Sequence, residues 1–499
     1  MHGVSKRYGD TLANDAVDLT LHRGEVHAVL GENGAGKTTL MSTLFGLVAP
    51  DAGRIEIDGT EARIGSPQDA LELGVGMVHQ HFMLVPDLTV AENVVLGTER
   101  PFNLSLRRPA VERSVREAGE RFGIAIDPAA RTGALPVEIQ QRVEILKLLY
   151  RGAEILILDE PTAVLGPAQI DSLLEVLASL RDEGRAIAIV THKLPEVMAI
   201  ADRVTVLKSG RRVLSGERGS FDAASLARAM TGAELPELPP RAARADVADT
   251  VRLRTKGLVV AGRGGRAVGG ADIEVREGEV LGVAGVEGNG QRELFGALTG
   301  ELAADEGSIE IDGRPVTGLS PRALHEAGLA YVPADRQGAG LVLDMSVADN
   351  LALAAVPAGR FDTRGLLRRK AIRAEAERLI ESFRIVPDDP DLPVASLSGG
   401  NQQKVVLARE LARRPAVLIA ASPTQGLDVG AAADVHRRLL DVRERGTAVL
   451  LISYDLDELR QLSDRILVLH RGAVVYETDA ERVDIDELGM AMAGHQPVA

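Results

Sequence analysis

The sequence predicts an α/β protein built from two tandem copies of one domain, each with a mainly parallel core sheet and a helical subdomain. Three observations carry this expectation. Short apolar runs alternate with stretches of helical periodicity, which is the pattern of a covered parallel sheet. A glycine-rich loop, Gly31-Glu32-Asn33-Gly34-Ala35-Gly36-Lys37-Thr38-Thr39, lies between one such run and the start of a helix. The plan of the first half then returns in the second. Gly257 matches Gly3, Gly278-Glu279-Val280 matches Gly24-Glu25-Val26 and Gly285 matches Gly31, each 254 residues on. Leu397 answers Leu135, and Pro423-Thr424 answers Pro161-Thr162, each 262 residues on. A repeat that long is a duplicated domain rather than a solenoid of short units.

With 499 residues the chain exceeds what one core organises. We expect a first domain over 1–235, a linker over 236–250 that is rich in proline and alanine, and a second domain over 251–499. The formal charge of −15 argues against a protein that coats nucleic acid. The absence of cysteine excludes disulfides, thiolate metal sites and thiol nucleophiles. No run of eighteen apolar residues offers a membrane span, and the N-terminus lacks the apolar core of a signal peptide. The first strand begins so close to Met1 that it looks clipped, and a native start upstream is expected.

Taken in order, Gly3–Tyr8 and the alternating Val17-Asp18-Leu19-Thr20-Leu21 read as strands. Tyr8 is either a platform for stacking a base or a core aromatic. Val26–Leu30 is a buried strand, and Leu40–Phe45 starts a helix. Ile55-Glu56-Ile57 ends in an Asp58-Gly59 turn, and Gly76–Val78 leads to Gln80. From about Phe82 to Gly152 the pattern is helical, with Val111, Val115, Ala118 and Phe122 on one face; Ile372, Ala376, Leu379 and Phe383 repeat it. Ile155–Asp159 is a strand ending in two acids, Asp159-Glu160. Ala186–Val190 is a strand delivering His192.

The chemistry follows from these ends. The loop fits G-x-x-x-x-G-K-[ST], whose bent backbone points successive N–H groups into one concavity at a helix N-terminus. Lys37 can reach the outer phosphates, and the Thr38 hydroxyl can hold Mg²⁺. In an open parallel sheet the carboxyl ends of the strands converge on one crevice. Asp159 can hold Mg²⁺ through water, Glu160 can orient and deprotonate an attacking water, and His192 can contact the γ-phosphate.

Leu397-Ser398-Gly399-Gly400-Asn401-Gln402-Gln403 resembles the signature sequence of ATP-binding cassette (ABC) ATPases, and the resemblance covers nearly the whole chain. It implies two tandem P-loop cassettes that bind ATP and Mg²⁺. It implies roles for Gly31, Asn33, Gly34, Gly36, Lys37, Thr38, Thr39, Tyr8, Ser398, Gly399, Gly400 and Gln402 in holding nucleotide. It implies metal contacts from Thr38, Gln80 and Asp159, and catalytic roles for Glu160, His192 and Gln80. In that family each ATP lies between one cassette's phosphate loop and the other's signature.

The halves are unequal. Gln291 and Arg292 stand where Lys37 and Thr38 do, Ala334 where Gln80 does, Ala421-Ser422 where Asp159-Glu160 do, Tyr454 where His192 does and Gly262 where Tyr8 does. Arg292 is a candidate to restore part of the lost charge. The first half's signature is Leu135-Pro136-Val137-Glu138, in which Pro136 offers no hydroxyl and Glu138 brings a negative charge. The losses therefore sort into one hydrolytic and one degenerate site. Asp428 is kept on the intact side, and Gly166 stands at its counterpart.

Within the family the chain resembles the fused double-cassette subunits of bacterial importers, the nucleoside branch linked to a basic membrane lipoprotein, on Gly76–Pro86 and Gly285–Gln291. The resemblance implies a peripheral protein at the cytoplasmic face of the membrane. Its partners would be two transmembrane permease subunits and an extracellular solute-binding lipoprotein, with no nucleic acid. Phe82-Met83-Leu84-Val85 is the candidate permease contact, or else a buried helix start. A simple-sugar importer is the nearest alternative, and a soluble ABC ATPase acting on ribosomes or DNA a more distant one.

Overall fold

A computed structural model of the chain describes residues 1–9, 11–79, 82–97, 108–162, 165, 167–231, 249–262, 265–286, 288–356, 359–363, 366–492 and 494. Contacts divide it into two compact units, one built on the N-terminal half and one on the C-terminal half. Most of the expected linker falls outside the described residues.

The strands of the first unit are β1 (His2–Tyr8), β2 (Thr11–Val17), β3 (Val26–Leu30), β4 (Ala52–Ile57), β5 (Thr60–Ala62), β6 (Val75–Val78), β7 (Ile155–Asp159), β8 (Ala186–Val190), β9 (Arg203–Lys208) and β10 (Arg211–Glu217). Six form one sheet in the order β10-β9-β3-β8-β7-β6, parallel except for β10. The other four form an antiparallel sheet, β2-β1-β4-β5. Every residue of β3 and β8 is buried, as a parallel sheet covered on both faces requires. Alternation along β8 divides its side chains between two cores. Ile187 and Ile189 pack with Val143 and Leu146 of helix Val137–Tyr150, whereas Ala188 and Val190 pack with Leu40 and Met41 of helix Lys37–Leu44. The sheet therefore carries the phosphate-loop helix on one face and the helical region on the other.

Val17–Leu21 is not a strand, which corrects the reading from alternation. The strand is β2, which ends at Val17. Val17 and Leu19 are buried, but Leu19 meets the sheet through its N–H to the Met1 carbonyl, and the alternation there records burial rather than a ladder. The Asp58-Gly59 turn is as expected: both residues have positive φ, 49° and 77°, the geometry of a tight hairpin between β4 and β5. Thr89 starts helix Val90–Val95 with a reciprocal capping box to Glu92.

The second unit repeats the plan. Its strands are β11 (Val251–Gly262), β12 (Gly265–Arg276), β13 (Val280–Ala284), β14 (Glu306–Ile311), β15 (Arg314–Pro315), β16 (Leu329–Val332), β17 (Asp362–Thr363), β18 (Leu366–Leu367), β19 (Val417–Ala421), β20 (Ala448–Ile452), β21 (Arg465–His470) and β22 (Ala473–Asp479). They give a six-stranded sheet β16-β19-β20-β13-β21-β22, a four-stranded sheet β12-β11-β14-β15 and a small hairpin, β17-β18. Ile372, Ala376 and Leu379 of helix Arg369–Phe383 are buried, and Phe383 packs against the same core, so the four-three-four face is an apolar stripe as read.

One buried group predicts a pH response of the first unit. His27 of β3 is 3% exposed and its Nε2 meets Thr205 Oγ1 at 2.8 Å. Burial, helped by Arg203 and His22, lowers its pKa to about 4. Because the folded pKa lies below the unfolded one, the unfolded chain binds the extra proton. The stability involved is therefore complete above about pH 6.5 and is lost as pH falls towards 4, on the order of 3 kcal/mol. His27→Gln is expected to flatten the melting temperature between pH 6.5 and 4; an unchanged acid slope would remove His27 from that role.

Candidate nucleotide site

In the first unit the phosphate loop joins β3 to helix Lys37–Leu44, and its glycines are required by geometry. Gly36 has φ 98° at the helix N-cap, and a Cβ there would lie 2.2 Å from the Ala13 carbonyl oxygen. Gly31 has φ 151°, with the Leu207 carbonyl oxygen 2.3 Å from the same hypothetical atom. Lys37 is 5% exposed and curls back over the loop, donating from Nζ to the carbonyls of Gly31 at 2.7 Å and Glu32 at 3.0 Å. Burial lowers its pKa, against the opposing pull of Glu160 and Asp159. Those carbonyls are weak partners for an ammonium, so phosphate oxygens would compete well for it.

Asp159 ends β7, buried, and the Thr38 side chain hydrogen-bonds to it. Burial pushes the Asp159 pKa up, and that hydrogen bond opposes the shift. Glu160, the next residue, sits in the left-handed region at φ 49°, with its N–H donated to the Val190 carbonyl at 2.8 Å. A non-glycine residue at positive φ is strained, and Glu160 holds that conformation in the turn that leaves β7, where its carboxylate meets His192. His192 Nδ1 lies 3.2 Å from Glu160 Oε1. Burial alone would raise the Glu160 pKa, but the hydrogen bond and charge of His192, with Lys37 and Lys193, outweigh it and hold the carboxyl below its usual value. The fold thus brings Lys37, Thr38, Asp159, Glu160 and His192 to the ends of three neighbouring strands. His192 is placed first against Glu160.

Other residues fall differently. Tyr8 is 49% exposed at the end of β1, with Lys6 Nζ 5.7 Å from its ring centroid, so the core reading of Tyr8 is excluded. Gln80 and Gly166 lie outside the described residues. Residues 82–85 are not a helix start: the helix begins at Val90, Asn93 pins the backbone of Val85, and Met83 and Val85 are exposed. A buried network went unread in the sequence. Thr162 Oγ1 donates to Glu196 Oε1 at 2.5 Å, and Thr191 to Glu196 Oε2 at 3.3 Å, tying the turn after Glu160 to helix Leu194–Ile200. Thr424 and Glu458 repeat it in the second unit at 2.6 Å, and a pairing of polar residues at the same repeat offset in both halves was the available signal.

The second unit keeps the backbone of this site and changes its chemistry. Gly290 has φ 105° and Ser422 φ 40°, as Gly36 and Glu160 do in the first. Gln291 is 2% exposed, and its amide donates to the Val286 carbonyl at 3.2 Å, filling the place of the lysine without its charge. Arg292 is exposed. In the signature, Ser398 caps helix Gly399–Leu411, and its Oγ accepts from Asn401 Nδ2 at 3.0 Å. Gly399 and Gly400 open that helix. Gln402 is 2% exposed and turned inward, donating to the Val394 carbonyl at 3.2 Å and accepting from Gln337 at 3.1 Å. Its amide is thus engaged within the unit rather than presented to a ligand. In the first unit Pro136 is the N-cap of Val137–Tyr150 and supplies no side-chain cap.

A parallel sheet with a phosphate loop, two strand-end acids and a duplicated plan defines a P-loop nucleoside triphosphatase of the cassette type, and comparison with known proteins places it. The family model "ABC transporter" matches residues 14–163 and 268–425, so the chain belongs to the ABC transporter family. It binds ATP and is an ATPase whose hydrolysis is coupled to transport. The nucleoside import ATP-binding protein NupA of Lactococcus lactis subsp. cremoris is 45% identical over 99% of this chain and 97% of its own. The glucose import ATP-binding protein TsgD13 of Haloferax volcanii is 44% identical over 99% of this chain and 95% of its own. The guanosine import ATP-binding protein NupO of Bacillus subtilis is 41% identical over 99% and 97%. Among solved structures, the archaeal ribosome recycling factor aABCE1, in complex with a ribosomal stalk protein, matches with TM-score 0.66 at 20% identity, over 98% of this chain and 92% of that one, a likeness of fold.

Proposed function

We infer that this chain is the ATP-hydrolysing subunit of an importer for a small solute, a nucleoside by preference, driving two separate transmembrane permease subunits from the cytoplasmic face of the membrane. The reading rests on one observation: Lys37, Thr38, Asp159, Glu160 and His192 converge in the first unit, while Gln291, Arg292, Ala421, Ser422 and Tyr454 replace them in the second. One site is equipped for hydrolysis and one is not. No helix among the described residues is long and apolar enough to cross a membrane, so a translocation path would come from other chains. Exposed Met83 and Val85, held against the helical region by Glu144 and Asn93, are the proposed permease contact. An extracellular lipoprotein would deliver the solute.

At the working site, the loop N–H groups and Lys37 hold the β- and γ-phosphates, and Glu160, oriented by His192, accepts a proton from the attacking water. The water oxygen bonds to the γ-phosphorus as the bond to the β–γ bridging oxygen breaks, and ADP leaves. One carboxylate and one hydroxyl, Asp159 and Thr38, fit the way Mg²⁺ is held alongside substrate phosphates, and the ion would neutralise charge developing on them. Ser398 and Gly400 are proposed to serve the nucleotide held by Lys37.

The nucleoside preference is supported by relatives named for nucleoside and guanosine import. Relatives named for glucose and ribose import keep a sugar as the second reading. Uptake of labelled guanosine, ribose and glucose by cells lacking this chain separates them. Loss of guanosine uptake with sugar uptake intact is expected; loss of sugar uptake alone would overturn the preference.

Tyr8→Ala is expected to raise the KM for ATP and GTP together, because stacking reads a π-face rather than base edges, worth roughly 0.5–1.5 kcal/mol or up to about tenfold. An unchanged KM for both would remove Tyr8 from the site.

A further inference from the structure

The second unit holds a cavity that the nucleotide site does not use. It has a volume of about 200 Å³ and lies where helices Arg369–Phe383, Gly399–Leu411 and Val429–Glu444 meet. Four basic side chains line it, Arg384, Lys404, Arg437 and Arg438, against two acidic ones, Asp434 and Asp441. That surplus is local and opposes the charge of the whole chain, which is −15. Asp434 is already engaged, 3.2 Å from Lys404 Nζ and 3.1 Å from Arg437 Nη1. Arg437 Nη2 is buried without an acceptor among the described residues. The Arg438 guanidinium lies 4.4 Å from the Phe383 ring centroid, which fixes its plane. Burial lowers the Arg438 pKa, and the charges of Arg384 and Arg437 push the same way while Asp441 and Asp434 oppose them.

The repeat supplies an internal control. At the corresponding positions 262 residues earlier, Asp434, Arg437, Arg438 and Asp441 are Ser172, Glu175, Val176 and Ser179. Arg142, the counterpart of Lys404, is there matched by a neutral partner, Ser172 Oγ at 2.7 Å. Arg384 closes its helix at φ 51°, where Gly123 closes the equivalent helix of the first unit at φ 66°. A glycine adopts that conformation freely and an arginine does not. The second unit has thus gathered guanidinium groups around this cavity, one of them on a strained backbone, while the first unit has none of the three.

We propose that this cavity is a binding site for a small phosphate-bearing anion, either inorganic phosphate or a singly phosphorylated metabolite. Guanidinium groups with fixed planes match the oxygens of a phosphate in pairs, and the free Nη2 of Arg437 supplies a donor already desolvated. Drug-sized ligands occupy roughly 300–1,000 Å³, so this cavity suits a smaller occupant, less than a nucleoside triphosphate. The ligand would brace the helix that begins at Ser398 against its two neighbours.

The test is equilibrium dialysis of the full-length chain with labelled inorganic phosphate and with labelled ribose 5-phosphate, each in the presence of a saturating non-hydrolysable ATP analogue that fills the phosphate loop. One saturable equivalent is expected, weakened about tenfold in Arg438→Gln and in Arg384→Gly, as loss of a charge-assisted pair implies. Glu175→Gln, at the corresponding place in the first unit, should leave it unchanged. Arg384→Gly guards against misfolding, since glycine relieves the strained φ and its thermal stability should not fall. Tighter binding of ribose 5-phosphate would identify a phosphorylated metabolite, and equal binding would identify phosphate itself. Absence of a saturable equivalent with the loop filled, or equal affinity in wild type and both arginine variants, would overturn the proposal. Neither outcome touches the hydrolytic reading of the first unit.

Discussion

Glu160→Gln is expected to retain ATP and to lose turnover by roughly 10²–10⁴-fold, the usual cost of removing a general base. The glutamine keeps the size of the side chain and an oxygen for His192, 3.2 Å away in the native site, so the fold and the binding of nucleotide should survive. What is lost is the proton acceptor. The depressed pKa of Glu160 keeps it ionised at neutral pH, so the native group is ready as a base without prior deprotonation. The pH profile adds a second reading. Activity governed by this carboxylate should fall as pH drops through its folded pKa, which lies below that of an ordinary glutamate, so the acid limb should sit lower than 4.5. His192→Ala should move that limb upward, because the hydrogen bond and charge that depress the pKa are gone while the desolvation remains. Near-normal turnover in Glu160→Gln would sink the assignment, and an unmoved acid limb in His192→Ala would separate the histidine from it.

Ser398→Arg should abolish ATPase activity, and Glu138→Gly should not restore a second active site. Ser398 is the N-cap of its helix, with its hydroxyl free to turn from Asn401 to a ligand, and Gly399 and Gly400 leave the first turn bare. An arginine there puts bulk at the place proposed to face the γ-phosphate and also removes the cap. Loss of a cap alone costs about 1 kcal/mol, so Ser398→Ala separates the two effects: it should keep the fold and lose only part of the activity. Glu138 stands in the first turn of helix Val137–Tyr150, after a proline that caps nothing. Removing its charge should let nucleotide stay longer at the degenerate site, because a carboxylate near a phosphate repels it. Turnover should not double, since Ala421 and Ser422 supply neither metal ligand nor base. Steady-state ATPase and bound-nucleotide stoichiometry, measured with the permease subunits present, decide both points. Normal hydrolysis in Ser398→Arg, or doubled turnover in Glu138→Gly, would defeat the one-site reading.

The features legible in the amino-acid sequence were those written over short stretches. The phosphate loop, the apolar strands and the polar residues at their ends are each contained within about ten positions, and the duplication is a matter of counting offsets. Local chemistry is sufficient for these: a loop that must bend needs glycine, and a strand buried on both faces must be apolar along its whole length.

Tertiary structure alone decided how distant residues meet. Glu160 and His192 are 32 positions apart, and their pairing depends on β7 and β8 lying side by side and on the left-handed turn at Glu160. The Thr162–Glu196 link has the same origin. Gln402 reads as one more polar residue of the signature, yet helix periodicity turns it inward to Val394 and Gln337. Val17–Leu21 alternates like a strand, yet the ladder of β2 stops at Val17, opposite Val4, and beyond it Leu19 meets the sheet through the Met1 backbone. Arg384, Lys404, Arg437 and Arg438 are scattered charges in the sequence and one cluster in space, gathered by three helices. Alternation and composition record which side chains leave water; which of them then touch is set by long-range packing, and a single chain pattern is compatible with more than one such arrangement.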